Sequence, residues 1–339
     1  ISPPPPPPGA AVLLDVKTGE ILALASKPNY NLQDLSPSIS QTTYDQIERK
    51  EAWLPRAWHP GYSPASPFKL VTAVAALRAN VVEPEEKLIC EGIYKGMECH
   101  CYPGRHGEMN LRSAEAQSCN VYFFQLAERL GEKLLISEAR SFGMNQSPNI
   151  KLPRLRNSPN VPDPEWKRKR VGEKWALEDT FNVAIGQGGL RQSPLQMACF
   201  AAALANQNKN FQPKLVKSPR EKSDDPPAEP IGLSPKNMLA IIGGMHDATV
   251  KGTAKRCRIE GIDIAGKTGT AQWRNHNMQL NLAWFIGFAP VQNPEVAIAV
   301  LIEGIIPQDH IQGGLTATPV ARDILQAYFT KKQNLARLK

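Results

Sequence analysis

A serine and a lysine three residues apart are the first pair in this chain whose types and spacing suggest chemistry. Ser66 and Lys69 lie in Ser66-Pro67-Phe68-Lys69, at the start of a segment with helical spacing. Residues three apart on a helix share a face. A serine hydroxyl is a weak nucleophile until a base takes its proton, and a lysine kept neutral by burial can act as that base. The pair predicts nucleophilic catalysis, and the plainer interpretation of Ser66 is a helix cap.

A second motif, Ser118-Cys119-Asn120, suits a loop or helix junction that points two polar groups into one cleft. There Ser118 would pass a proton between Lys69 and a leaving amine, and Asn120 would hold both Lys69 and a substrate amide. Taken alone, the motif is more typical of an ordinary polar helix start.

A third motif, Lys267-Thr268-Gly269-Thr270, falls at the end of a predicted strand. Lys267 supplies positive charge, and the hydroxyls of Thr268 and Thr270 suit a carboxylate. Gly269 has no side chain, so we expect a substrate backbone to add along that strand edge. The N–H groups of Thr270 and Ser66 would then face a developing oxyanion. The plainer interpretation is an edge strand that carries a protective lysine.

Cysteine and histidine residues are concentrated between positions 90 and 119. Thiolate and imidazole ligands at four positions would close a tetrahedral zinc site. Alternatively, Cys90 pairs with Cys99 or Cys101 in a disulfide, or the thiols stay free, and Cys119 is a small core residue. The cluster comprises four of the six cysteines and two histidines: Cys90, Cys99, Cys101, Cys119, His100 and His106.

The elements that must position these motifs follow a simple order. Two strands come first, then a run of helices, then three strands, then a final helix, which predicts an α+β fold with one sheet uniting all five strands. The predicted strands are 10–16, 20–25, 263–271, 282–289 and 296–303. The predicted helices are 43–50, 68–79, 111–130, 133–142, 193–205, 234–246 and 318–328.

Composition narrows the class of protein. The chain has 339 residues, of which 42% are hydrophobic, so it has ample material for a folded core. Its net charge of +8 is spread along the sequence apart from a basic run at 167–170, and no nucleic-acid recognition motif is present. We therefore expect no nucleic-acid partner. The sequence also contains no run of about 18 apolar residues that could span a bilayer.

Together, the three motifs in this order resemble the transpeptidase domain of class B penicillin-binding proteins. The likeness covers about 10–330. It includes a first hairpin at 10–26, the segment 181–188 and the third motif with its continuation at 267–272. The segment 162–170, with Trp175 and Asp179-Thr180, resembles the elongation-specific branch (the penicillin-binding protein 2 type), with the division-specific branch as the alternative. The family usually has glycine before the nucleophile, where this chain has Ala65.

This resemblance implies the fold shared by penicillin-binding proteins and serine β-lactamases. That fold is α+β, with a five-stranded antiparallel sheet flanked by helices beside an all-helical subdomain, here at roughly 80–200. The transpeptidase domain would occupy 10–330. Residues 1–9 would be the remnant of a proline-rich linker, and 331–339 a basic tail.

The resemblance also implies a reaction. Ser66 would attack the carbonyl of the penultimate D-Ala of a peptidoglycan stem peptide and release the terminal D-Ala. An amine of a neighbouring stem peptide would then take the acyl group, giving a cross-link. Lys69, Ser118, Asn120 and Lys267 would be the other catalytic residues, with no cofactor required for catalysis.

The implied partners follow from the same family. Stem peptides ending in D-Ala-D-Ala are the substrates, and β-lactams would acylate Ser66. A glycosyltransferase of the SEDS class and other elongation proteins would be partners of the full-length protein. It would be held on the periplasmic side of the bacterial inner membrane by a single anchor upstream of residue 1, the present chain itself being soluble.

Some elongation-type relatives bind a metal beside the active site. By resemblance the ligands here would be Cys90, Cys101, His106 and Cys119, with Cys99 as the alternative to Cys101. Such a zinc would tie the loop to the helix that carries the second motif, a structural rather than a catalytic role.

Two other functions share the three motifs. A serine β-lactamase would need efficient deacylation, and we find no glutamate clearly placed to activate a deacylating water. A catalytically silent β-lactam sensor or scaffold is disfavoured by the intact Ser66, Lys69 and Lys267.

Overall fold

A five-stranded antiparallel sheet forms the centre of the protein, with the strands in the order 21–27, 9–15, 296–303, 278–289 and 265–275. The computed structural model describes residues 6–153, 155–216, 227–275, 278–307 and 310–337. The sheet confirms the predicted union of the two early strands with the three late ones. Its strands are β1 (Gly9–Asp15), β2 (Ile21–Lys27), β7 (Ala265–Asn275), β8 (Met278–Ala289) and β9 (Val296–Glu303). Four short strands form two hairpin-like pairs: β3 (Leu88–Cys90), β4 (Ile93–Tyr94), β5 (Met97–Glu98) and β6 (Gly107–Met109).

Both faces of the sheet are buried, which explains the unbroken apolar run of β9. Successive side chains of a strand point to opposite faces. Ala299 and Leu301 accordingly enter one apolar cluster, and Ile298 and Val300 enter another. Helices therefore cover the sheet on its two sides, as an α+β fold requires.

Nine α-helices lie within the described residues. They are α1 (Gln41–Arg49), α2 (Lys69–Arg78), α3 (Leu111–Ala116), α4 (Asn120–Ser141), α5 (Pro164–Arg170), α6 (Leu177–Ala184), α7 (Pro194–Asn206), α8 (Pro235–Val250) and α9 (Thr318–Arg337). The side chain of Ser234 accepts the N–H of Asn237 and Pro235 opens α8, as such a sequence favours. None of the described helices combines the length and apolarity needed to cross a bilayer.

The helical region differs from the prediction at one place that matters. A single helix over 111–130 was predicted, but the chain leaves the helix after Ala116 and restarts at Asn120. Ser118 adopts a positive φ of 57°, and the sulfur of Cys119 caps the new helix by accepting the N–H of Tyr122. The second motif therefore forms a tight corner between two helices, which periodicity alone does not show.

The second half of the predicted helix 111–130 is joined to the predicted helix 133–142, because α4 runs from Asn120 through Gly131 to Ser141. Gly131 has φ 71° and marks a kink inside α4. At the other end of the chain, α9 continues through the part of 331–339 that is described, where a basic tail was predicted. The division into linker, transpeptidase domain and helical subdomain stays a prediction, and positions 1–5 of the linker lie outside the described residues.

Candidate active site

The three sequence motifs meet at one place between the sheet and the helices. Ser66 opens a 3₁₀ turn, 66–68, that leads directly into α2, so Lys69 is the first residue of that helix. The Lys69 amine reaches the second motif on the helix corner. The third motif, on β7, approaches Ser66 so closely that a Cβ added to Gly269 would lie 3.2 Å from the Ser66 nitrogen. The structure thus brings together residues that are 200 positions apart in the sequence.

Lys69 is completely buried and hydrogen-bonded to the second motif. Its Nζ donates to the Ser118 carbonyl oxygen at 2.7 Å and to Asn120 Oδ1 at 2.6 Å, and lies 3.4 Å from the Ser118 hydroxyl. Burial lowers the pKa of Lys69 to about 8 from an ordinary 10.5. An amine with this pKa is partly unprotonated near neutral pH and can accept a proton.

The residue before Ser66 holds an unusual backbone conformation. Ala65 has φ 56° and ψ −153°, a region that side-chain-bearing residues seldom occupy. Two hydrogen bonds fix it: its N–H donates to the Gly186 carbonyl at 2.9 Å, and its own carbonyl accepts the N–H of Phe68 at 2.9 Å. The Ser63 hydroxyl donates to the same Gly186 carbonyl at 2.7 Å. The turn that presents Ser66 is therefore anchored to the segment before α7.

This strain gives a testable expectation for Ala65→Gly. Glycine adopts positive φ without steric cost, and the strain relieved should exceed both the lost methyl contact and the greater freedom of the unfolded chain. We expect the free energy of unfolding to rise by about 1 kcal/mol. Urea denaturation measures it, with Ala73→Gly inside α2 as the matched control that should lose about 1 kcal/mol. A lower stability for Ala65→Gly would contradict the strain.

The threonine hydroxyls of the third motif, which were expected to be available to a substrate carboxylate, are hydrogen-bonded within the protein. Lys267 is completely buried. The Thr268 hydroxyl hydrogen-bonds the Thr253 hydroxyl at 2.6 Å, and the Thr270 hydroxyl accepts the N–H of Gly313 at 3.1 Å. Both hydroxyls thus have protein partners. Thr270 is exposed and Thr268 is nearly buried, so Thr270 is the more accessible of the two.

The structure gives Gly269 a steric reason that the sequence did not show. A Cβ at this position would lie 2.5 Å from Pro67 Cδ and 3.0 Å from Ala65 Cβ. The space on the side-chain face of Gly269 is therefore filled by the Ser66 turn, and addition of a substrate backbone along the edge of β7 stays a prediction. Glycine is required here because β7 and the nucleophile turn pack against each other.

The cysteine and histidine loop brings four potential metal ligands together. The ligand atoms of Cys90, Cys99, Cys101 and His106 all lie within 4.8 Å of one another. Cys90 Sγ is 3.8 Å from Cys101 Sγ and 3.6 Å from His106 Nδ1, and Cys99 Sγ is 3.7 Å from the same Nδ1. Atoms about 2.3 Å from a tetrahedral zinc lie about 3.8 Å from each other, so this donor set fits zinc.

Cys119 occupies a different place from the one expected of a ligand. Its sulfur lies 4.0 Å from Cys99 Sγ and caps α4, and it is not among the four clustered ligands, whereas Cys99 and Cys101 both are. The hydrogen bond with Cys119 lowers the pKa of Cys99, while burial raises that of Cys101 to about 12. All six cysteines are free thiols, and a sulfur separation of 3.8 Å between Cys90 and Cys101 is far from a disulfide bond.

Sequence reasoning missed three features around the motifs. Gly186 supports the Ser66 turn, and Glu115 is a buried acid one helical turn before Ser118. A buried network beneath the turn joins Glu303 Oε1 to the Tyr62 hydroxyl at 2.6 Å and to Arg56 Nε at 2.9 Å. Of these three features, only Glu115 could have been noticed in the sequence, as an acid beside apolar residues of α3. The contacts of Gly186 and of the Glu303 network join segments that are distant in the sequence.

Comparison with known proteins agrees with this geometry. The pattern of the penicillin binding protein transpeptidase domain family matches residues 9–326. The peptidoglycan D,D-transpeptidase MrdA of Haemophilus influenzae is 30% identical over 352 residues, covering 95% of this chain and 53% of that protein. The chain spans about half the length of the curated relatives that it matches first.

Solved structures show the same fold. The complex of penicillin-binding protein PBP2 with MreC from Helicobacter pylori matches with a TM-score of 0.83 at 25% identity, covering 96% of this chain and 60% of that one. The imipenem acyl-enzyme complex of penicillin-binding protein A from Mycobacterium tuberculosis matches with a TM-score of 0.75 at 30% identity, covering 95% of this chain and 74% of that one.

Proposed function

The chain belongs to the penicillin-binding protein transpeptidase family, in the class B type of PBP2 and MrdA, and we propose that it cross-links peptidoglycan stem peptides through an ester on Ser66. One observation carries the proposal: the buried Lys69, one turn from Ser66, donates to the Ser118 carbonyl and Asn120 Oδ1 and has a pKa of about 8. A base so placed is what a serine nucleophile needs.

In the first half-reaction, Ser66 Oγ attacks the carbonyl carbon of the penultimate D-Ala while Lys69 Nζ takes the hydroxyl proton. The N–H groups of Ser66 and Thr270 stabilise the oxyanion. The peptide C–N bond then breaks, and the proton passes through the Ser118 hydroxyl, 3.4 Å from Lys69 Nζ, to the leaving D-Ala amine.

In the second half-reaction, an amine of a neighbouring stem peptide attacks the ester. The amine loses a proton by the same relay, the ester C–O bond breaks, and Ser66 recovers its hydroxyl hydrogen. In the first half-reaction, before the terminal D-Ala leaves, Lys267 and Thr270 bind its carboxylate, and Asn120 positions an amide of the same substrate. No cofactor takes part in these steps.

The setting proposed for this reaction is cell-wall elongation on the periplasmic side of the inner membrane. The H. pylori relative of known structure is complexed with MreC. We infer comparable partners for the full-length protein, namely elongation proteins and a SEDS-type glycosyltransferase, together with an anchor upstream of residue 1. The proposed catalytic domain is 10–330, with the helical subdomain at roughly 80–200, and the proposed proline-rich linker is 1–9.

The loop between β3 and α3 is proposed to hold one structural zinc. Cys90, Cys101 and His106 belong both to the donor set implied by the family and to the four clustered side chains. Cys99, which lies among them, is the fourth ligand, in place of the Cys119 implied by resemblance. A bound zinc would neutralise thiolate charge and fasten the loop to the corner that carries Ser118 and Asn120, since the Asn120 N–H already donates to Cys99 Sγ at 3.2 Å.

We expect one zinc per chain in protein purified under reducing conditions without chelator, measured by elemental analysis and native mass spectrometry. Cys90→Ser should lower the zinc content at least tenfold, because a structural site needs all four ligands. Cys199→Ser, outside the loop, is the matched control and should keep its zinc. Zinc loss in Cys119→Ser but not in Cys99→Ser would restore the set implied by resemblance. A zinc-free chain two hydrogens lighter would instead indicate a disulfide.

Intact-protein mass spectrometry with benzylpenicillin tests the proposed function. The wild type should gain one stable penicillin mass, mapped to the peptide that contains Ser66, and Ser66→Ala should gain none. Destruction of the drug without an adduct would identify a β-lactamase instead. An intact drug without an adduct would identify a silent domain.

A further inference from the structure

Glu115 is a buried acid for which the mechanism above has no role. It lies on α3, completely shielded from solvent, and neither carboxyl oxygen has a hydrogen-bond partner among the described residues. Burying a carboxyl group without partners costs several kcal/mol unless a nearby charge compensates for it. Such a group is retained at that cost only if something close by offsets it.

Lys267, on β7, is a buried basic residue in a comparable environment. It is also completely buried, and its Nζ has no hydrogen-bond partner among the described residues. Burial, followed by repulsion from Lys69, lowers the pKa of Lys267 well below its usual range. Left to these two influences, Lys267 would lose the positive charge that a substrate carboxylate requires.

Helix α8 packs against both elements that carry the two residues, α3 and β7. A Cβ added to its Gly244 would lie 2.5 Å from Glu115 Oε2, so α3 and α8 are in direct contact at the acid. One turn and a half later, the Thr249 hydroxyl donates to the Ile264 carbonyl at 2.6 Å, immediately before β7. Burial raises the pKa of Glu115 well above its usual range. The charge of Lys267 opposes this shift, and the Glu115 carboxylate likewise opposes the lowering of the Lys267 pKa, so the two charges interact.

We propose that Glu115 is a positioning residue that acts through Lys267: its carboxylate is the buried counter-charge that keeps Lys267 cationic, and so able to bind the substrate carboxylate. This inference rests on the proposed function. With Glu115 ionised, the closed space that holds Lys69 and Lys267 carries at most one excess positive charge instead of two. The arrangement assigns different protonation states to the two lysines, a neutral base at Lys69 and a cation at Lys267.

The other ionisable groups that face this pair do not replace Glu115. Lys69, from α2, repels Lys267. Tyr122, from α4, is neutral because burial raises its pKa. Asp247, from α8, is paired with Arg112, whose Nε and Nη2 donate to its carboxylate at 2.7 and 3.0 Å. Glu115 is therefore the carboxylate available to Lys267 in this part of the described structure.

The test is the pH profile of acylation by a fluorescent penicillin in the 339-residue chain. Glu115→Gln keeps the shape and removes the charge, so we expect the second-order rate near pH 8 to fall at least tenfold. The alkaline limb of the profile should move to lower pH by about one unit or more, because Lys267 deprotonates earlier. Glu138→Gln, a buried carboxylate paired with Arg78 and Lys209, is the matched control and should keep the wild-type profile. A Glu115→Gln profile that coincides with wild type overturns the inference.

A stability cycle covers the case in which Glu115→Gln folds poorly. Lys267→Met alone leaves an unpaired buried acid, whereas the double variant leaves no charge. The double variant should therefore unfold at a higher urea concentration than the two single changes predict when added. A double variant that is no more stable than that sum overturns the inference. If wild type is not acylated at all, or Ser66→Ala still is, the proposed function itself fails and this inference fails with it.

Discussion

Replacement of Lys69 by methionine should lower the rate of acylation by penicillin about a thousandfold or more. General-base catalysis by a positioned side chain contributes typically 10²–10⁴ in rate. Lys69 is the buried amine that touches both Ser118 and Asn120, so its loss removes the base and breaks the link between the first two motifs. Stopped-flow or gel-based labelling with a fluorescent penicillin measures the effect, and circular dichroism checks the fold.

A partly buried lysine away from the three motifs offers the matched control. Lys209 lies 3.3 Å from Glu138 and over the ring of Phe142, away from the three motifs. Lys209→Met should weaken the fold, because it leaves Glu138 with one partner fewer, and should leave the acylation rate of the folded protein within a fewfold of wild type. Equal losses of rate in the two lysine variants would contradict the role proposed for Lys69.

The pH dependence of the wild type follows from the same amine. The neutral form of Lys69 is the base, and its pKa is about 8, so acylation should become faster as the pH rises through about 8. Stability should change in the same direction. The folded pKa lies below the ordinary value of 10.5, so the unfolded chain binds more protons between these two values, and folding becomes more favourable as the pH rises from about 8 to 10.5. The rise in acylation rate should be absent from Lys69→Met, and its stability should rise less steeply with pH, because only the contribution of Lys267 is left.

Much of the site was predictable from the sequence because its chemistry is carried by short contiguous motifs. Ser66 with Lys69 and Ser118 with Asn120 each lie within one turn of chain, so their mutual placement depends on local geometry alone. The sheet was predictable for a similar reason, since the long apolar run of β9 has to be covered on both faces. Short motifs and runs of apolar residues that must be buried can both be recognised in a sequence.

What could not be predicted depends on contacts between distant segments. The break between α3 and α4, where Ser118 has a positive φ, was missed because 111–130 has continuous helical periodicity. The steric requirement for glycine at 269 was missed because the atoms that fill its side-chain space belong to Ala65 and Pro67. The choice among four neighbouring cysteines was equally out of reach, because it depends on how a short irregular loop folds against α4.

Replacement of Gly186 by alanine should have the largest effect of any change outside the three motifs. A Cβ at this position would lie 1.9 Å from the Ala65 carbonyl oxygen, which is far too short for any contact, and Gly186 also has φ 80°. The Ala65 carbonyl belongs to the strained turn that presents Ser66, and that turn cannot retreat without losing its hydrogen bonds to Gly186 and Phe68. We expect acylation to fall at least a hundredfold, since a displacement of about 1 Å at a reacting group has this order of effect.

The same loop supplies a control that separates steric collision from backbone strain. Gly188 also has a positive φ of 70°, but a Cβ there would meet its nearest neighbour, Asn182 Cβ, at an ordinary 3.6 Å. Gly188→Ala should therefore lose only the 1–2 kcal/mol typical of alanine in the left-handed region and should keep its acylation rate. Because both variants place alanine at positive φ two residues apart, a difference in rate between them isolates the contact with Ala65. If the two variants lose equal activity, the contact between Gly186 and the Ser66 turn does not position the nucleophile, and backbone strain in the loop accounts for the loss.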